Sequence, residues 1–210
     1  AYEIPKRDWS SDVCSSDLLS ILIPATPRRV SSHLCALIKK LEDQITDLGD
    51  PQSVEVLTFL DNRKRSIGEK RDGLVQLSHG DFVAFCDDDD DISRDYVRSL
   101  VEAIKQATPE VSVITFDQRV VINGVEAVCS FSLTHVNEPF RQPKFRRNAW
   151  HVCAWRGDMA RKVRFPATNY GEDWAWSKHL VLDAKGEIHI PRVLHTYRYD
   201  EHISEAPPPK

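Results

Sequence analysis

Short apolar runs and helical stripes alternate along the first half of the chain. Leu18–Ile23 is an apolar run closed by Pro24 and reads as a buried first strand. Ser31 or Ser32 is placed to cap the helix that follows, whose apolar positions Leu34, Leu37, Ile38, Leu41 and Ile45 recur at helical spacing. Val54–Leu60 is a second strand ending at Asp61-Asn62. A basic loop, Arg63-Lys64-Arg65, leads into a helix that runs to about His79, and Gly80-Asp81 turns the chain into a third apolar run, Phe82–Cys86. Beyond it, Tyr96, Val97, Leu100, Val101 and Ile104 form another helical stripe, and Val111–Phe116 reads as a strand.

The second half is patterned less regularly. Val120-Val121-Ile122-Asn123-Gly124-Val125 sets Asn-Gly between apolar residues, a strong hairpin signal because both turn residues tolerate positive φ. Residues 134–148 predict irregular, partly basic structure, Arg156–Val163 a short helix, and Gly171-Glu172-Asp173 the opening of a helix that ends near Asp183. Two short strands, Glu187–Ile190 and Arg192–Tyr199, close the fold. The alternation predicts one α/β domain with a central, mostly parallel sheet flanked by helices, a small β-hairpin and an irregular second half. Residues 1–17 are polar and aperiodic, and residues 7–18 look like translated sequencing adapter. This arm is read as disordered or artefactual and kept out of the fold. The Pro-rich tail 205–210 is expected to be disordered.

Composition narrows the setting. With 210 residues, 41% hydrophobic and 29% charged, the chain fits an ordinary soluble domain. A net charge of −4 predicts no general attraction to nucleic acid or to an anionic membrane. No apolar run approaches the length of a membrane span, so any membrane contact would be peripheral. No basic region followed by an apolar core opens the chain, so no secretory signal is expected. Cys14, Cys35, Cys86, Cys129 and Cys153 are widely spaced without a CxxC pair. That argues against a zinc site or a disulfide framework and fits a reducing, cytoplasmic compartment.

Candidate chemistry concentrates after Phe82–Cys86, which ends in Asp87-Asp88-Asp89-Asp90-Asp91. Adjacent carboxylates repel one another, and Mg²⁺ or Mn²⁺, which prefer carboxylate oxygens, would compensate them. A solvated stretch is the plainer explanation of an acidic run. Here a hydrophobic strand precedes it and an amphipathic helix follows, and open α/β sheets place ligands at the C-terminal ends of their strands. Lys70 and Arg71 fall in a first helical turn, where free N–H groups suit phosphate. Glu172-Asp173 also open a helix, whose dipole is expected to keep both carboxylates ionised.

Leu19–Pro24, Asp61, Gly68-Glu69-Lys70-Arg71-Asp72, Gly80–Asp90 and Gly171-Glu172-Asp173-Trp174, in this order and spacing, resemble a family 2 glycosyltransferase of the GT-A (Rossmann-like) fold. The resemblance covers about residues 18 to 200 and divides the domain 18–204 into a nucleotide-sugar-binding half, 18–91, and an acceptor half, 92–204. It implies a hexosyl transfer, usually inverting and metal-dependent, from a nucleotide-diphosphate donor, most often a UDP-sugar. The implied acceptor is a hydroxyl on a glycan, lipid-linked or protein acceptor, in surface polysaccharide or glycan synthesis. Asp87-Asp88-Asp89 matches the family's DxD. Asp89 would bind Mn²⁺ or Mg²⁺, with Asp87 as a further ligand or a donor contact and Asp90 supporting from behind. Asp88 would lie on the donor side or be a solvated neighbour, and Asp91 would be a solvated neighbour. Asp61 would accept a bond from the base, and Lys70 and Arg71 would meet the phosphates. Asp173 would be the general base, with Glu172 beside it. His195 would be a further metal ligand. His151 and Trp174 would lie on the acceptor side, and Trp174 and Trp176 are as consistent with core packing as with stacking on a sugar.

Two other readings stay open. A nucleotidyltransferase would need a Gly-rich loop after the first strand, where this chain has Pro24-Ala25-Thr26-Pro27-Arg28-Arg29. An inactive glycan- or metal-binding module would agree with Asp72 standing where the family usually carries Asn.

Overall fold

The computed structural model describes residues 18–199, so the expectations for the arm 1–17 and the tail 205–210 fall outside the described residues. The first half is organised on β1 (Leu19–Ala25), which is buried from end to end. It has a parallel neighbour on each side: β2 (Val54–Leu60) in register Leu19↔Val54 and β3 (Phe82–Phe85) in register Leu19↔Phe82. A strand covered on both faces needs apolar side chains throughout, which is why its sequence does not alternate. Ser20 is satisfied inside the sheet, donating to Glu55 at 2.6 Å and accepting from the Gly80 amide at 2.8 Å.

The helices fill the connections. Before α1 (Cys35–Thr46) the chain already coils from Pro27 through Leu34 in 3₁₀ and π turns. Ser31 and Ser32 therefore lie inside a turn, and α1 starts without a side-chain cap, because Pro27 begins the helical path earlier than serine capping predicts. α2 (Ile67–Leu77) has a capping box: Ser66 Oγ accepts from the Glu69 amide, and Glu69 accepts from the Ser66 amide. α3 (Tyr96–Gln106) follows a two-residue strand, β4 (Asp91–Ile92).

β5 (Val111–Ile122) carries the second half. The Asn123-Gly124 turn, with both residues at positive φ, returns the chain antiparallel as β6 (Val125–Ser132). The stretch expected to be irregular ends in β7 (Lys144–Asn148), parallel to β6. The helix expected from Arg156 is a strand first. β8 (Ala154–Arg156) lies between β3 and β5, antiparallel to both, and only Gly157–Ala160 forms a helical turn, α4. α5 (Glu172–Asp183) covers one face. The two expected closing strands are one, β9 (Gly186–Tyr199), parallel to β5 with register shifts opposite Phe116–Gln118 that absorb Pro191. β9 also pairs with β4, setting Ile92 opposite His195. The spatial order β2-β1-β3-β8-β5-β6-β7 makes one continuous sheet.

Under the sheet's centre, Trp176 stacks on Phe165 at 4.7 Å and meets Phe85 edge-on at 5.8 Å. Burying side chains of this size contributes about 1.5–3 kcal/mol each. Trp176 is thus core rather than a sugar platform. Among the described residues, Cys35, Cys86, Cys129 and Cys153 are free thiols, and no helix is long and apolar enough to cross a membrane.

Candidate active site

A cleft of about 1230 Å³ opens at the C-terminal ends of β1, β2 and β3. One wall holds the loop Arg63–Arg65 and the start of α2; the floor is Asp87–Asp90; the far wall is the opening of α5 with His151 and Trp150. The acid run and the acidic pair, 85 residues apart in the chain (172 − 87), therefore face the same space.

Arg71 joins them. Its Nη2 donates to Asp87 Oδ1 and Oδ2 at 2.7 and 2.8 Å, and its Nη1 donates to Glu172 Oε1 at 2.7 Å. The guanidinium is buried and lies over the Phe85 ring at 5.6 Å. Burial alone would lower the Arg71 pKa, but Asp87, Asp173 and Glu172 together raise it, so the cation is permanent. Burial opposes ionisation of Asp87, yet Arg71 keeps that carboxyl below its ordinary range. Glu172 behaves oppositely. Burial pushes it up to about 7, more than Arg71 draws it down. The helix dipole predicted to hold both α5 carboxylates ionised is outweighed at Glu172 by lost hydration.

Arg29, in the loop after β1, makes the second bridge. It reaches Asp88 Oδ1 through Nη1 and Asp89 Oδ2 through Nη2, both at 2.9 Å. Asp88 is buried and also accepts from the Thr26 amide at 2.7 Å, so it is neither a solvated neighbour nor turned to a donor. It latches the β1 loop to the β3 loop. Asp89 is pushed up to about 7, first by burial and then by Asp90, against the pull of Arg29. Asp91 pairs with Lys40. Asp90 and His195 are both buried, with His195 Nε2 3.2 Å from Asp90 Oδ2; Gln118 lies 3.0 Å from His195 Nδ1. Burial raises the Asp90 pKa more than His195 lowers it.

Asp61 and Lys70 pair with each other at 2.7 Å, and Lys70 borders the cleft. Asp61 also accepts from the amides of Arg63, Lys64 and Arg65, and Lys70 donates to the Ala25 carbonyl at 2.9 Å. The Lys70 bond, helped by these amides, holds Asp61 down at about 2. Asp61 is not among the residues lining the cleft, but the basic loop it shapes is. Asp72 points to Arg164, which grips it through Nε and Nη2, and it also accepts from the Phe165 amide at 3.2 Å. Its departure from the family's Asn is accounted for by this tether.

At the far wall, Gly171 adopts φ +78°, a conformation that suits glycine, and turns the chain into α5. Asp173 is 26% exposed; Oδ1 accepts from the Trp174 amide at 2.7 Å, and Oδ2 lies 3.6 Å from His151 Nδ1. His151 is buried against Phe85, and burial followed by Arg71 pushes it down to about 4, so it is neutral. Trp174 is 48% exposed at the rim, with the Lys178 ammonium 4.9 Å over its ring. The two walls are joined at a seam. Gly68 packs so close that a Cβ there would lie 1.9 Å from the Pro166 carbonyl oxygen, and its amide donates to Thr168 at 3.0 Å.

A family profile described as glycosyl transferase family 2 matches residues 32–160, which is 129 of 210 residues. The chain belongs to glycosyl transferase family 2. A search of curated proteins finds no match. Among solved structures, S. aureus TarS matches with a TM-score of 0.59 at 13% identity over 86% of this chain and 36% of that one. TarS 1–349 in complex with UDP-GlcNAc matches with 0.56 at 12% identity over 90% and 61%. The mannosyltransferase PcManGT from Pyrobaculum calidifontis, in complex with GDP-Man and Mn²⁺, matches with 0.51 at 11% identity over 85% and 56%. The family 2 domain described here thus has the GT-A fold and spans about a third to three fifths of these chains.

The donor set bears on whether a divalent cation fits this family 2 domain. Among the described residues, His195 Nε2 is buried with Asp90 Oδ2 3.2 Å away and no hydrogen bond of good geometry, and Asp89 and Asp90 line the cleft. Oxygen and imidazole donors of this kind suit Mn²⁺ or Mg²⁺. Among the described residues no three acidic, His or Cys side chains already converge as a cage, because Arg71 takes Asp87 and Arg29 takes Asp89. Asp89, Asp90 and His195 offer donors that fit such an ion, while Arg71 meets both oxygens of Asp87. The sequence did not single out Arg29. Its signal was two arginines in the loop after β1, a strand adjacent to β3.

Proposed function

We propose that the domain transfers a sugar from a nucleotide-diphosphate donor, a UDP-sugar, to a hydroxyl of a glycan acceptor with inversion. The observation that carries this reading is Arg71, which ties the acid run to the acidic pair across one cleft. Asp173 is the general base: Oδ1 is anchored by the Trp174 amide, and Oδ2 faces the cleft beside neutral His151. In a single displacement the acceptor hydroxyl gives its proton to Asp173, its oxygen bonds to the anomeric carbon, and the bond from that carbon to the diphosphate oxygen breaks. Glu172 and Arg71 fix the start of α5, so the base is held at one distance from the floor. The cations Arg63, Lys64 and Arg65 line the donor wall, where the diphosphate's charge is to be met. Asp89, with Asp90 and His195 behind it, would hold Mn²⁺ or Mg²⁺, which offsets negative charge on the leaving diphosphate. Exposed Trp174 and Tyr170 at the rim supply aromatic faces for a sugar ring. Turnover of a panel of UDP- and GDP-sugars with and without Mn²⁺ tests the reading; it fails if no donor is consumed, or if Asp173→Asn turns over as fast as the parent.

A further inference from the structure

Two arginines serve the acid run, and they are held very differently. Arg71 is buried and fixed by three hydrogen bonds from two elements. Arg29 is 23% exposed, lines the cleft, and among the described residues is held by Asp88 and Asp89, two neighbouring carboxylates of the run. The carboxylates differ as well. Asp88 keeps the Thr26 amide and hydroxyl, at 2.7 and 3.3 Å, whatever Arg29 does. Asp89, by contrast, has its ion pair from Arg29.

We propose that Arg29 is a tethered counter-ion: it pairs with Asp89 when the cleft holds no substrate, and exchanges Asp89 for a divalent cation so that its guanidinium can pair with the donor's diphosphate. This rests on the cation reading of Asp89 above. The planar fork of arginine suits both partners, since it matches carboxylate and phosphate oxygens in the same bidentate geometry. The exchange leaves no charge stranded. Asp88 stays satisfied, Asp89 gains the cation, and Arg29 gains the phosphate. A cation that releases Arg29 makes it available to the diphosphate, and a diphosphate that draws Arg29 away frees Asp89. The two ligands therefore tighten each other's binding by the same factor. Arg29 is a positioning residue in this scheme.

Calorimetric titration of Mn²⁺ alone into the full chain, parent against Arg29→Gln, gives the test, with thermal unfolding as the check on folding. Without its competitor, Asp89 should bind Mn²⁺ roughly five- to tenfold more tightly. UDP titrated in the presence of Mn²⁺ should bind more weakly to Arg29→Gln, and the mutual tightening of Mn²⁺ and UDP should shrink. Arg29→Lys keeps the charge but cannot fork two carboxylates, so it should also gain Mn²⁺ affinity while losing less UDP affinity; it stands in if the Gln protein does not fold. Unchanged or weaker Mn²⁺ binding in the folded variants overturns the role of Arg29 alone. Failure of parent and variants alike to bind Mn²⁺ overturns both this role and the cation reading.

Discussion

The acid run after β3 and Asp173 at the opening of α5 face one cleft, yet they are stabilised by different means. Four of the five aspartates in the run pair with a basic side chain: Asp87 has Arg71, Asp88 and Asp89 share Arg29, and Asp91 has Lys40. At α5, Glu172 has Arg71, while Asp173 faces a histidine that burial keeps neutral. Fixed positive charge beside a carboxylate favours its ionised form and occupies it, winning over burial at Asp87 but not at Asp89 or Glu172. Placing a neutral, buried ring beside one leaves its lone pairs open to a proton. The contrast fits a floor that handles phosphate and metal charge and a wall that handles a proton.

Arg71 is where the contrast breaks most easily. Arg71→Met leaves Asp87 and Glu172 buried without their shared cation and should cost about 3–5 kcal/mol in urea unfolding, with activity lost. Adding Glu172→Gln to that protein should recover part of the loss. If Arg71→Met unfolds at the parent's midpoint, the bridge is not what joins the walls. Asp173→Asn should separate chemistry from folding: turnover falls about 10²–10⁴-fold while the thermal midpoint holds, since asparagine keeps the acceptor for the Trp174 amide and the His151 it faces is neutral.

His151 sharpens the contrast through pH. Its folded pKa, about 4, lies below the ordinary 6.5, so the unfolded chain takes up the proton first as pH falls. The stability it gives is fully present above pH 6.5 and is lost as pH drops towards 4, by no more than about 3 kcal/mol. Glu172 and Asp89, both near 7, pull the other way, because a raised carboxyl favours the folded state as pH falls below 7. The variant His151→Asn should therefore show a flatter acid limb than the parent when thermal midpoints are compared across pH. An identical slope would rule out a buried neutral histidine at the far wall. The smallest effect is expected from Ser66→Ala, which removes the α2 cap for about 1 kcal/mol. It should leave Mn²⁺ affinity unchanged, a control for helix fraying in the Arg29 experiment.

Much of this was legible in the sequence because the pattern and the structure share a cause. β1, β2, β3, α3 and the Asn123-Gly124 hairpin follow from runs, stripes and turn chemistry that act over a few residues. β8 was not legible. Three residues are too few for a period, and Ala154–Arg156 become a strand only because β3 and β5 offer edges on either side. β9 was split at Pro191, since a single sequence does not reveal that its partner can shift register there. Within the acid run, five identical side chains carry no sign of direction, so the latch role of Asp88 emerged only when Thr26 and Arg29 were brought beside it. Pairs such as Asp61–Lys70 and Asp72–Arg164 belong to this class, where each residue is plain in the sequence and its partner is not.

The seam at Gly68 has a mechanical consequence. With no room for even a methyl group against Pro166, and with the Gly68 amide on Thr168 and Arg71 on Glu172, α2 is held tightly against the segment that leads into α5. Any side chain larger than glycine's at position 68 would have to push the 166–168 backbone outward.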